Sequence, residues 1–263
     1  MAGTAGTAEG RVTRGTTGVN RLRRVDRWIA TLPVLRRAED PLVVDLGYGA
    51  SATTALELHG RLAKIRPEVE IVGIEIDPER VAVASRSAKP GVSFRRGGFE
   101  VPLPTGRRAT IIRALNVLRQ YDESEVAAAW KTMLGRLQPG GILVEGTCNE
   151  IGRVCSWVAL DSAGPQSLTV SLRLEALDKP SIVAERLPKA LIHRNVPGER
   201  IHEFLIALDR HWQLNAPLSV YGPSQRWIAT VEGMRADGWP VLGGKSRWRL
   251  GELTVAWGAV APA

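Results

Sequence analysis

An α/β fold on a mostly parallel sheet is predicted by three observations. Apolar runs of strand length alternate with amphipathic helical segments between residues 42 and 149, the connections are short, and Gly or Pro marks most boundaries. The 263 residues suit one large domain, or one domain with an insertion. With 44% hydrophobic and 24% charged residues the chain can bury a full core, which excludes bulk disorder and a disulfide scaffold. The only cysteines, Cys148 and Cys155, have no companion His or Cys at metal-ligand spacing, so they are expected to be reduced and no metal site is expected. Residues 1–18 have no apolar core of the kind a leader needs, and the uncharged apolar stretches are short, so a soluble, cytoplasmic protein is expected, with no role at a membrane.

The elements follow in order. Residues 1–18 hold five Gly and five Thr and scarcely an apolar side chain larger than Val, so a disordered tail is expected. Residues 19–40 are read as a basic N-terminal helix: Leu22, Val25, Trp28, Ile29 and Leu32 recur at helical spacing behind Asn20 as cap, and Pro33 ends the run. Residues 42–46 form a strand that turns on Gly47-Tyr48-Gly49 into a helix marked by Ala55, Leu58, Leu62 and Ile65. A second strand at 71–76 leads to a helix capped by Asp77 with Pro78 at its first position. Strands near 92–95 and 110–116 follow, then a helix opened by an Asp122/Glu125 capping box, then a fifth strand at 142–146 behind Pro139-Gly140-Gly141.

Beyond Asn149 the pattern changes, and six of the eight Trp lie there. Alternation at Leu168, Val170, Leu172 and Leu174 predicts a half-exposed antiparallel strand paired with residues 153–160. A helix with Ile201, Phe204, Leu205, Leu208 and Trp212 comes next, then another at about 223–237, and a last strand at 253–260.

Chemistry concentrates at the first two strand ends. Gly47 and Gly49 permit a tight turn and close approach of a ligand to the backbone. Asp45, two residues before the first glycine, is suited to receive an ammonium group, and Glu75 at the end of the second strand to accept two ribose hydroxyls. With Ala114-Leu115-Asn116 on the fourth strand and the Pro-Gly-Gly turn before the fifth, residues 42–149 resemble the class I S-adenosylmethionine-dependent methyltransferases. The resemblance implies a Rossmann-like, seven-stranded, mostly parallel sheet with an antiparallel last strand. S-adenosyl-L-methionine is the implied cofactor, with Asp45, Gly47 and Gly49 about its methionine part, Glu75 at the ribose, and Ala114 and Asn116 by the sulfonium. The family often has an acid where this chain has Gly98, so Phe99 is expected to supply adenine packing and a backbone N–H instead. On the same reading residues 41–149 and 223–263 are the core, and 150–222 is an inserted hairpin-and-helix cap that recognises substrate.

Asn116, Tyr121 and His193 are the candidate catalytic residues, beside Arg119, Asn149 and Glu150. The acceptor is left open between two classes. Of the 35 basic residues 29 are Arg, and residues 1–40 carry 8 Arg against 4 acids. That arm, with Arg153, Arg173, Arg194 and Arg200, suits a structured RNA, whereas the Trp-rich insertion suits a small aromatic molecule. A catalytically inactive, methyltransferase-like binding module is the alternative outside enzymes. A nicotinamide dehydrogenase is disfavoured, since Asp45 would set a negative charge beside a pyrophosphate.

Overall fold

Strand β1 (Leu42–Leu46) is buried along its whole length, as expected of a central parallel strand covered on both faces. The computed structural model describes residues 8–104 and 106–263. In it β1 lies between β2 (Glu70–Glu75) and β4 (Ala109–Leu115), with β3 (Val92–Arg96) beyond β2 and β5 (Leu137–Cys148) beyond β4, all parallel. Helix α3 (Thr53–Leu62) follows β1, α4 (Pro78–Ser85) follows β2, and α5 (Glu123–Leu134) joins β4 to β5. Asp77 accepts from the Glu79 and Arg80 N–H groups, and the Asp122/Glu125 capping box is formed, so both expected helix starts are present. Asn20 does not cap: it has φ +62°, and α1 (Arg23–Ile29) begins after Leu22. Pro33 opens a second short helix, α2 (Pro33–Arg37).

The sheet is Rossmann-like but, among the described residues, has nine strands where seven were expected. Strands β6 (Val154–Asp161) and β7 (Gly164–Leu172) form the expected hairpin, yet it continues the sheet and does not hang over its carboxyl edge. The order is β3-β2-β1-β4-β5-β6-β7-β9-β8, with β9 (Glu252–Ala256) and β8 (Val241–Leu242) at the far edge, antiparallel from β5 onward. Nor is β7 half-exposed. Its polar positions Ser167, Thr169 and Ser171 are buried as well, because Thr169 and Thr254 share a 2.8 Å hydrogen bond and Arg24 reaches over to donate to Ser171 Oγ at 3.2 Å. Helices α6 (Lys189–Ile192), α7 (Arg200–Leu214) and α8 (Pro223–Ala236) join α5 over one face of the sheet, in a core with Phe204, Trp212 and Trp227. Helices α1, α2 and α3 cover the other face around Ile29, Leu58 and Trp157.

That second face contains a buried ionic network. Arg113 on β4 is fully buried; its guanidinium bonds Asp26 of α1 and contacts Asp45 of β1 at 2.7 Å, while Arg61 of α3 bonds Asp26 from the other side. Burial opposes the charge on Arg113, but the Asp45 and Asp26 carboxylates outweigh it and hold the guanidinium above its ordinary value. Arg113→Met leaves Asp45 without its cation and should cost about 3 to 5 kcal/mol in urea unfolding; a loss below about 1 kcal/mol would show that the network holds nothing together.

The opposite face buries an unpaired acid. Glu145 on β5 is fully buried and neither carboxyl oxygen has a hydrogen-bond partner among the described residues. Burial pushes its pKa up to about 8. The folded state therefore retains a proton that the unfolded chain has released above roughly pH 4.3, and stability falls as pH rises between these values, by up to about 1.4 kcal/mol per unit. Glu145→Gln should flatten that slope between pH 5 and 8 in denaturant titrations and leave the protein more stable at pH 7; equal slopes in both proteins would refute this.

Candidate functional site

At the carboxyl ends of β1 and β4 the chain leaves the sheet and opens a cleft of about 390 Å³, lined among others by Asp45, Gly47, Tyr48, Gly49, Thr54 and Asn116. Gly47 and Gly49 have φ of +68° and +88°, a region L side chains rarely adopt, so glycine is required for the turn. Glu75 is 1% exposed and braces that turn: one oxygen accepts the Gly49 N–H and the other the Ile76 N–H, both at 3.0 Å. Asp45 borders the cleft but is already committed. It accepts from Thr54 Oγ1 at 2.7 Å and from Arg113 Nε at 3.0 Å, so its charge is compensated before any ligand arrives.

Asn116 stands at φ +63° beyond β4, with its side chain clasped to Cys148: Oδ1 accepts the Cys148 N–H at 2.9 Å and Nδ2 points to Sγ at 3.3 Å. Leu115 and Asn116 line the cleft, whereas Ala114 is packed in the core below it. Tyr121 and Phe99 pack together at 5.2 Å between ring centres, and burial pushes the Tyr121 hydroxyl up. His193 is not in the site. It is exposed at the end of α6, 2.9 Å from Lys189 Nζ, and its candidacy as a catalytic residue is withdrawn. Its context in the chain, Leu191-Ile192-His193-Arg194-Asn195, is uninformative about distance to a cleft formed by other elements.

The N-terminal segment overturns a second expectation. Residues 8–18 are described and lie across the site; residues 1–7 lie outside the described residues. The Phe99 N–H donates to the Glu9 carbonyl at 2.9 Å, the Ala50 N–H to the Gly15 carbonyl at 3.0 Å, and the Arg11 N–H to the Tyr121 hydroxyl. Arg80 donates to the Thr13 carbonyl at 2.9 Å and Arg21 to that of Thr16. The segment is held by its backbone polar groups, so a count of its few apolar side chains missed the anchoring. Gly98 is part of the same fit. A Cβ there would collide with the Glu9 carbonyl, so the missing acid at 98 is the space through which this segment passes. Beside it, between Glu75, Phe99, Val117 and Tyr121, only about 20 Å³ stays open.

The cleft also gathers cations that the sequence did not bring together: Arg14, Arg21, Arg119 and Arg186 line it, with Glu150. Arg186 lies at the end of a 3-10 turn (Pro180–Arg186), and no local motif marks it. Among the described residues no group of three or more His, Cys, Asp or Glu is placed to hold a metal. No described helix is long and apolar enough to cross a membrane.

A scan against protein-family models and a search of curated proteins found no match. Solved structures match part of the chain. Human N-acetylserotonin methyltransferase in complex with SAM is 23% identical over 48% of this chain and 33% of its own, with a TM-score of 0.37. The CcbJ methyltransferase from Streptomyces caelestis is 18% identical over 60% and 73%, at 0.37. The [4+2]-cyclase SpnF is 25% identical over 46% and 44%, at 0.35. The match therefore spans about a third of the human enzyme and less than half of the cyclase.

Gly98→Ala should push residues 9–13 off the surface, seen as faster trypsin cleavage after Arg11 and Arg14 with the global unfolding temperature little changed. Unaltered cleavage would show that the segment does not depend on this gap.

Proposed function

We propose that the chain is an S-adenosylmethionine-dependent methyltransferase. The observation that carries this is the Gly47/Gly49 turn, which lines a cleft over the carboxyl ends of the parallel strands and is braced by the buried Glu75 carboxylate. Such crevices are where open α/β sheets hold ligands. The residues fit the cofactor at its ribose and methionine parts: Glu75 would accept the ribose hydroxyls, the Gly47 to Gly49 backbone would lie along the chain, and Asp45 would face the ammonium with Arg113 behind it. The adenine part fits once residues 9–11 move aside, since Glu9 now takes the Phe99 N–H.

The bound cofactor supplies an electrophilic methyl group for in-line displacement. The protein's task is then to fix the acceptor atom in line, and positioning accounts for most of such a rate gain. Asn116, held by Cys148, and Leu115 border the space for the reacting groups. Arg119, Glu150 and Arg186 border the acceptor side, which supports residues 150–222 as the region that recognises substrate. Tyr121 is given a packing and anchoring role, since its hydroxyl is taken by Arg11.

A second reading is favoured by one observation: with Glu9 on the Phe99 N–H and little open space beside it, the chain resembles a binding module closed to the cofactor. Calorimetric titration with S-adenosylmethionine and S-adenosylhomocysteine separates the two. Micromolar binding that weakens at least about tenfold in Glu75→Ala, the loss of one charge-assisted contact, supports the methyltransferase; no binding by the intact chain supports the module.

A further inference from the structure

We infer that the wide end of the cleft receives a small acceptor bearing an anionic group, a carboxylate or a phosphate, held by Arg186 and Arg119 with Arg14 closing over it. Naming the anion's bearer as the acceptor rests on the methyltransferase reading; the anion site itself does not.

The charge balance is the first reason. Four arginines and two acids line the cleft. Asp45 is neutralised by Arg113, which leaves Glu150, whose side chain is 65% exposed and no closer than 3.4 Å to Arg186. Arg21 spends its guanidinium on the carbonyls of Thr16, Cys148 and Asn149. Arg14 makes no hydrogen bond or ion pair among the described residues, and Arg119 donates only to the Glu185 carbonyl, at 3.1 Å. Three cations thus converge with one loosely held acid among the lining residues. Burial, then the charge of Arg186, lowers the Arg119 pKa, and Arg14 adds to it. An anion entering here would relieve that repulsion.

The second reason is that Arg186 is built in. Its carbonyl accepts from Thr147 Oγ1 at 2.5 Å and from Ser156 Oγ, two buried hydroxyls on adjacent strands β5 and β6. The arginine is therefore fixed to the rigid sheet, where a site gains precision. Its Nε is buried without a partner among the described residues, and the residue lines the cleft. The side chain as a whole stays 20% exposed, so the accessible N–H groups of its guanidinium can donate charge-assisted hydrogen bonds to a carboxylate or phosphate.

The observations favour a small molecule over RNA. Of the arginines expected to clasp RNA, Arg173 pairs with Glu175, Arg194 with Glu123 and Glu199, and Arg200 donates to the Gly258 carbonyl. Two of the four expected arginines are thus paired with acids, Arg153 has no side-chain partner among the described residues, and Arg14, Arg119 and Arg186 converge in a cleft of small-molecule size.

The test is calorimetry at fixed ionic strength on the full chain, using benzoate, phenyl phosphate and neutral benzamide as probes. S-adenosylhomocysteine affinity is measured separately in every protein. One or both anions should bind and benzamide should not; which anion binds assigns carboxylate or phosphate. Arg186→Gln and the exposed-site variant Arg119→Gln should each weaken anion binding at least about tenfold, the worth of one charge-assisted bond, with unfolding temperatures close to that of the wild type. Equal binding of benzamide, or anion binding unchanged in both variants, overturns the inference. So does binding of a single-stranded RNA oligonucleotide when neither small anion binds. Loss of S-adenosylhomocysteine binding alone sinks the cofactor reading and not this one.

Discussion

Burying a guanidinium in the middle of a parallel sheet commits every element around it. Arg113 belongs to β4, Asp45 to β1, and Asp26 to a helix that precedes the sheet in the chain. An uncompensated charge at that depth is strongly destabilising, so α1 must dock on this face, and α3 must bring Arg61 and Thr54 to complete the coordination of the two acids. The network reaches the site directly, because Asp45 is its last member and the first polar residue of the cleft floor. The carboxyl edge of the sheet and the N-terminal helix are thus one electrostatic unit.

The same constraint shapes what the cleft can recognise. A free aspartate at the end of β1 would make the floor anionic; with Arg113 beside it the floor is close to neutral, and the arginines at the rim set the sign of the field. The N-terminal segment adds to that rim. It crosses the site because Gly98 and Gly49 leave room for its backbone, and it carries Arg14 with it. Cover and charge come from the same stretch, so moving the segment would alter both access and affinity.

Much of the fold was legible in local pattern. Asp77-Pro78 and Asp122 with Glu125 are caps whose partners lie within three residues, and they formed as expected. The Gly47/Gly49 turn and Glu75 were visible for the same reason: each position's requirement, a positive φ or an acid at a strand end, is local. The β6–β7 hairpin was also legible, with Val154 opposite Leu172, but its place in the sheet beside β5 was not. Alternation in Leu168, Val170 and Leu172 reports one apolar face and is silent about what meets Thr169 and Ser171; those partners are Thr254 and Arg24, distant in sequence.

The sequence by itself determined the alternation of strands and helices, the turn chemistry and the residues at the strand ends, because these follow from backbone sterics and periodicity over a few residues. Only the tertiary structure decided that Arg113 is an interior ion, that residues 8–18 lie on the site, that His193 is outside it, and that Arg186 is inside. Each of these depends on a contact between segments far apart in the chain, and a buried charge or a backbone-anchored segment leaves no periodic trace from which its partner can be read.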